Sequence, residues 1–491
     1  MAIQTLPFST LISIERTSAT PVFRQLAGAI ITLISNGKIK PGHQLPSTRE
    51  MAGLIKLNRT TVVAAYDELS AQGWLEVDGR KGMFVSKRLP VVGPQSFKSA
   101  NHSTSDGSGE KDFYRQISFG RPPRHEVKPF HLMINDGYPD HRIAPLNSIF
   151  NRYKTLFTKN HLQGPLLTGN PAGSLSLRTE LAGFLSKTRG LNIDSENLLV
   201  TAGAQLAIYI AASMVLKAGS TVIVADLNYI LADKLFEQLG AKLLKVKVDE
   251  HGIDVDAIEE ICSRSRPDLL YIIPHHHHPT TVTLSAERRM KLLDIISRYQ
   301  LPVIEDDYDY DFHYNNSPVL PLASADHNGY VLYVGSISKN LAPSIRMGYL
   351  VGSVDFVKQA SRLKQLIDIR GDVLYEESIA HLFSTGEMQR HLRRSVKLYR
   401  QRRNRFCELL KASLGNLVQF TVPQGGMAVW ITFPEDYSIS ELSDRLYEKG
   451  IYMNDGSIFR YSDTVNGIRL GFASLNDAEM ETFAHALAQV R

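Results

Sequence analysis

Apolar residues recur at two different periods along this chain, and the change of period divides it. Near the N-terminus they fall at Val22, Leu26, Ile30 and Leu33, the spacing of one helical face. Gly37 through Gly42, with Pro41, interrupts that pattern. Leu45-Pro46-Ser47-Thr48-Arg49-Glu50 then sets Ser47 and Glu50 at capping-box spacing, which predicts a short helix to about Ile55. Asn58 is suited to cap a further helix, with Val62, Tyr66 and Leu69 on its apolar face and an end near Gly73. Trp74–Val77 and Met83–Val85 read as strands around Asp78-Gly79-Arg80-Lys81-Gly82, a hairpin with a basic tip.

Between Pro90 and about Lys111 the chain is rich in Ser, Gly, Asn and Pro and has no apolar period. We read residues 1–88 as a winged helix-turn-helix, 89–127 as a flexible linker and 128–491 as a second, larger domain. In that larger domain, near-continuous apolar runs (Leu198-Leu199-Val200, Thr221–Val224, Leu301–Ile304, Tyr330–Val334) alternate with helical stretches. Runs of this kind are strands buried on both faces, and the alternation predicts an α/β fold. Beyond a basic helix that opens at Gln389, a smaller C-terminal α/β lobe follows.

Charge sharpens the division. The chain of 491 residues carries a net charge of +5. Residues 1–90 hold eleven Lys/Arg and six Asp/Glu, and the remainder holds forty-four of each sign, so the whole excess is N-terminal. That distribution suits a nucleic-acid reader joined to a neutral domain. Thr48 and Arg49 open one short helix, and Asn58, Arg59, Thr60 and Thr61 open the next. These, with Arg80 and Lys81 at the wing tip, are the candidate contacts to double-stranded DNA. No apolar run reaches membrane-spanning length, no signal-peptide pattern opens the chain, and the two cysteines are far apart, so a cytoplasmic protein is expected.

The candidate chemistry lies after the Tyr330–Val334 strand, in Gly335-Ser336-Ile337-Ser338-Lys339-Asn340-Leu341-Ala342-Pro343-Ser344-Ile345-Arg346. Ser336 and Ser338 allow close approach of an anion, and Arg346 is suited to clamp it. Lys339 stands among apolar neighbours, where burial lowers the pKa and frees the amine to attack a carbonyl. An amine beside a phosphate cradle is what pyridoxal phosphate needs. Upstream, the Leu301–Ile304 strand ends in Glu305-Asp306-Asp307-Tyr308. There Asp306 is placed to pair with a pyridine nitrogen and Tyr308 to bond a phenolate oxygen. Gly203, Ala204 and Gln205, at a strand-to-helix junction, form a generic phosphate site.

These motifs together resemble the fold-type I aminotransferase domain of MocR-type regulators, a branch of the GntR transcription factors. "Leu-Pro-Ser-Thr-Arg-Glu-Met-Ala" and "Asn-Arg-Thr-Thr-Val-Val-Ala-Ala-Tyr" resemble the GntR signature. The resemblance covers nearly the whole chain. It implies pyridoxal 5'-phosphate on Lys339, Tyr229 stacked on its ring, and His276, from Pro274-His275-His276-His277-His278-Pro279, near the cofactor. It also implies Arg469 gripping a carboxylate and a homodimer with interfacial sites. The chain departs from the family pattern at Thr168, Ala204 and Leu231, where relatives have Tyr, Ser and, in some, Arg. No metal is expected at the four histidines, because neighbours on an extended chain point to alternate sides. Three readings fit: a regulator that senses pyridoxal phosphate or a small amino compound, a working aminotransferase, and a DNA-binding protein whose large domain serves only to dimerise.

Overall fold

Ser47 fixes the start of a helix in the N-terminal unit through two reciprocal bonds. Its Oγ accepts from the Glu50 N–H at 3.3 Å, and Glu50 Oε2 accepts from the Ser47 N–H at 2.9 Å. In this computed structural model, residues 6–78, 82–89, 129–158, 169–314, 319–459 and 465–491 are described. Arg80, Lys81, Thr168 and most of the expected linker therefore lie outside the described residues. Contacts divide the chain into two compact units, Met1–Gln116 and Ile117–Arg491.

The first unit comprises α1 (Phe8–Leu11), α2 (Val22–Ser35), α3 (Thr48–Ile55), α4 (Arg59–Ala71) and the antiparallel strands β1 (Leu75–Val77) and β2 (Met83–Val85). Leu26, Ile30 and Leu33 of α2 and Val62, Tyr66 and Leu69 of α4 share one core with Met51, Trp74 and Val85. Asn58 stands at the N-cap position of α4, but its side chain makes no capping bond. It is left exposed and unspent at the helix entrance.

The second unit begins with β3 (Leu132–Ile134). Its centre is a seven-stranded sheet of β4 (Leu198–Thr201), β5 (Thr221–Ala225), β6 (Lys242–Val246), β9 (Leu269–Ile272), β10 (Val303–Asp307), β11 (Val331–Ser336) and β12 (Gly348–Val351). The short hairpin β7 (Val248–Asp249) and β8 (Gly252–Ile253) lies outside it. The order is β4-β12-β11-β10-β9-β5-β6, and β12 alone runs antiparallel to its neighbours. Alternate residues leave opposite faces. Val222, Val224, Tyr271, Ile304 and Val334 pack under helices Ala204–Val215 and Val354–Asp368. Ile223, Leu270, Ile272, Val303 and Val331 pack under helices Val255–Arg264 and Ala286–Tyr299. This two-sided burial explains why the strands read as unbroken apolar runs.

A smaller lobe follows the 28-residue helix Glu387–Leu414. It pairs β13 (Ala428–Thr432) antiparallel with β15 (Gly467–Gly471), and β14 (Ile451–Met453) parallel with β3. The basic residues of the long helix are partly spent internally. Arg402 bonds Asp140 and the Ala473 carbonyl, and Arg405 pairs with Glu481. Among the described residues no helix is long and apolar enough to cross a membrane.

Candidate functional site

The carboxyl ends of β4, β5, β9, β10 and β11 open on one cavity of about 490 Å³, on the side of the sheet covered by helix Ala204–Val215. Its wall brings together Ala204, Gln205, Tyr229, Asp306, Tyr308, Ser336, Ser338, Lys339 and Arg346.

Lys339 sits in a single 3-10 turn, Ser338–Asn340, directly after β11. The loop from 337 to 347 is tied at its neck. The N–H groups of Ile337 and Ser338 both donate to the Met347 carbonyl, and the Ser338 hydroxyl donates to that carbonyl and accepts from the Met347 N–H. Ser338 therefore touches the cavity while its hydroxyl holds the loop shut. Lys339 Nζ donates to the Gly137 carbonyl at 3.0 Å and lies 5.0 Å from the Tyr138 ring and 5.7 Å from the Tyr308 ring. Burial pulls its pKa below the ordinary lysine value, against the opposing pull of Asp136.

Asp306 faces this amine from the end of β10. Tyr271 donates its hydroxyl to Oδ2 at 2.7 Å, while Oδ1 is buried without a partner. Burial pushes the Asp306 carboxyl up to about 7, although the Tyr271 hydrogen bond opposes it. At the other end of the cavity Arg346 Nη2 donates to the Ala202 carbonyl at 3.3 Å. Gly203 has φ +94°, and a Cβ there would lie 2.4 Å from Arg346 Nη2. Glycine is thus required both by the backbone and by the guanidinium. Helix Ala204–Val215 starts at this point, with its free N–H groups beside the arginine.

Two of the expected site residues do not line the cavity. His276 is not on the cavity wall. It has φ +48°, its Nδ1 lies 2.8 Å from Asp309 Oδ1, and its ring packs against Gly425, where a Cβ would stand 1.9 Å from Nε2. The tract turns here instead of running extended, so His278 is the histidine that reaches the cavity. Arg469, on β15, is buried behind the wall. It donates to the Asp136 carbonyl at 2.8 Å, the Pro279 carbonyl at 3.0 Å and the Tyr308 hydroxyl at 3.0 Å. Tyr308 in turn donates to the His276 carbonyl. Asp136 and Tyr138 line the site, in a segment that resembles the family's entry segment near the active site, and His278 lines it without having been expected there. The signal for the first two was their place either side of Gly137, in the segment Asn135–Asp140. Among the described residues no cluster of His, Cys, Asp and Glu is arranged to hold a metal ion.

In the N-terminal unit, Arg49, Asn58, Arg59 and Thr60 are exposed at the starts of α3 and α4, and Thr48 and Thr61 are half-buried.

Residues 142–487 match the family model described as aminotransferase class I and II, and residues 23–85 match that of the gntR family of bacterial regulatory proteins. The "Uncharacterized HTH-type transcriptional regulator YdfD" of Bacillus subtilis (strain 168) is 30% identical over 471 residues, covering 94% of each chain. The "Probable rhizopine catabolism regulatory protein MocR" of Rhizobium meliloti is 26% identical over 481 residues, covering 97% of this chain and 95% of that one. The chain belongs to the MocR-type branch of the GntR regulators. The larger unit of this MocR-type chain also resembles a crystal structure of Pyrococcus horikoshii kynurenine aminotransferase in complex with PMP. The TM-score is 0.68 at 25% identity, over 74% of this chain and 91% of that one. A GntR helix-turn-helix and an aminotransferase-like domain are therefore fused in one regulator-like chain.

Proposed function

We propose that this protein is a pyridoxal-phosphate-dependent, DNA-binding transcriptional regulator that senses the cofactor or a small amino compound at Lys339. The observation that carries this reading is the pairing of a desolvated amine with a buried carboxylate that keeps one oxygen unpartnered. An unpartnered buried acceptor is costly, and a protonated ring nitrogen is the group that fills it. The glycine-relieved cradle of Gly203, Arg346 and the helix N-terminus suits the phosphate, and the cationic ends there match its charge.

When bound, pyridoxal phosphate supplies an aldehyde for which the lysine and an amino compound compete, and a ring that draws electrons. Lys339 holds its amine with a lowered proton affinity, ready for that competition. Asp306 would hold the ring nitrogen, Tyr308 would serve the phenolate oxygen once its hydroxyl turned from the His276 carbonyl, Tyr229 would cover a ring face, and Ser336 and Gln205 would join the phosphate cradle. An amino compound held in this cavity would bias the unit only by its differential affinity for two states of it. Asn58, Arg59 and Thr60, exposed and without ion pairs among the described residues, serve the DNA duplex with Thr48, Arg49 and Thr61. A homodimer presenting two such readers to paired half-sites completes the reading.

The test is a visible absorption spectrum of the purified protein with pyridoxal phosphate, beside Lys339→Ala. A borohydride-reducible band is expected in the unmodified protein only; equal spectra in the two would overturn the reading. A second reading, residual transaminase activity, is favoured by the likeness to an aminotransferase structure and by the amine's position within the cavity. Amino-group transfer to added keto acids decides it.

A further inference from the structure

The outward face of α4 holds one residue to which the DNA-binding reading gives no task. Val62, Ala65, Tyr66 and Leu69 turn inward to the core of the N-terminal unit. The Tyr66 hydroxyl donates to the Pro46 carbonyl at 3.0 Å, which fixes the rotation of the helix. At about 100° per residue, the stripe opposite that core is Thr60, Val63, Ala64 and Asp67. Thr60, Val63 and Asp67 are exposed, and Ala64 is half-buried. Val63, 36% exposed, is the one large apolar side chain of α4 that faces outward among the described residues.

A single exposed valine is ordinary on a protein surface, but this one has no local reason to be there. A β-branched side chain lowers helix propensity, and in the open it gains no packing in return. It stands one turn after Arg59, in the part of a recognition helix that enters the major groove. Arg59 is the one long side chain in the first five residues of α4, so the helix backbone can approach base edges closely. The excess positive charge of the N-terminal residues supplies the attraction to a duplex. Asp67, one turn beyond Val63, is an anion, which keeps that end of the stripe away from phosphates.

We propose that Val63 is a specificity-determining residue that packs on the 5-methyl group of a thymine in the operator half-site. This rests on the reading that the N-terminal unit binds double-stranded DNA. The thymine methyl is the apolar group that base pairs present in the major groove. Guanine, adenine or cytosine at the same place would set acceptors or an amino donor against the valine, and burying those without a partner is costly.

The experiment uses the full chain and duplexes enriched from a random-sequence pool by rounds of binding to it. In the enriched half-site each thymine is replaced singly by deoxyuridine, which removes the methyl group and keeps the base pairing. At one thymine the replacement is expected to weaken binding about fourfold, the worth of one buried methyl-sized group. That ratio is expected to hold as salt is raised, while both affinities fall, because the contact is apolar and the phosphate contacts are not. Val63→Ala changes an exposed helical position and is expected to fold as the parent does. It should bind the thymine and deoxyuridine duplexes nearly equally. No methyl-sensitive thymine, or one that stays equally sensitive in Val63→Ala, would overturn this inference and leave DNA binding standing. Enrichment of no duplex at all would overturn the DNA-binding reading with it.

Discussion

Asp306 and Asp307 follow one another on β10, both fully buried, and their side chains leave the sheet on opposite faces. On one face the Asp307 carboxylate is filled. His275 Nδ1 lies 3.2 Å from Oδ1, and the Tyr333 hydroxyl donates to Oδ2 at 2.8 Å. Arg189 then donates to that hydroxyl and makes a two-pronged pair with Asp311, which also accepts from Asn340, the residue after Lys339. Burial pushes Asp307 up, but His275, Arg189 and Tyr333 together outweigh it and hold the carboxyl below the usual range. On the other face Asp306 has one donor, one empty oxygen and a carboxyl raised to about 7. Burial is common to both residues. What separates them is the number of partners, and the incomplete shell marks the face that awaits a ligand.

Three substitutions press on this contrast. Asp307→Ala is expected to be the most damaging, because it takes the acceptor from the buried His275 Nδ1 and from the Tyr333 hydroxyl. Breaking such a pair costs about 3–5 kcal/mol, read by urea denaturation. A loss under about 1 kcal/mol would mean that the filled face contributes little to stability.

Asp306→Asn is expected to act in the opposite direction on the cofactor-free protein. The folded carboxyl, at about 7, lies above its ordinary value of 3.8. The native state therefore keeps a proton that the unfolded chain has released, and stability is lost as pH rises through the folded pKa. Asn has nothing to ionise and can still accept from Tyr271. At pH 8 the variant should gain up to about 4 kcal/mol. The gain should shrink towards pH 4 and vanish below it. Comparing variant with parent cancels the similar titration of Glu305, which burial also raises to about 7. The same variant should bind pyridoxal phosphate more weakly, and a gain in both stability and affinity would contradict the assignment.

The smallest effect carries the contrast into the N-terminal unit, where groups without partners stand on the surface instead of in a cavity. Arg59→Ala should weaken binding to different duplexes about equally if the residue meets phosphate, and should lower the salt slope by about 1. A change confined to one base position would make Arg59 a base reader instead.

Much of the site was legible because it lies in strand ends and short motifs. Lys339, Arg346, Asp306 and Tyr308 were chosen from residue type and from their place after apolar runs, and all four line one cavity. The Ser47–Glu50 capping box was legible for the same reason: spacing alone specifies it. Less is legible where the backbone departs from the regular geometry that a pattern assumes. The histidine tract was read as extended, but the positive φ at His276 turns it inward to Asp309 and hands the cavity to His278. The oxygens to which Arg469 donates belong to Asp136, Pro279 and Tyr308, remote in sequence and brought together only by the fold, so no pattern in the sequence announces them. Asn58 had a good capping residue's identity and position, yet its side chain does not cap.

The neck of the lysine loop has one more effect. Lys339 and Arg346 are carried by the same short bridge between adjacent antiparallel strands, and its two ends are fastened to each other at Met347. The backbone positions from which the amine and the guanidinium reach out are therefore set by one closed loop. A change at Ser338 or Met347, neither of which carries the reactive group, would disturb both at once.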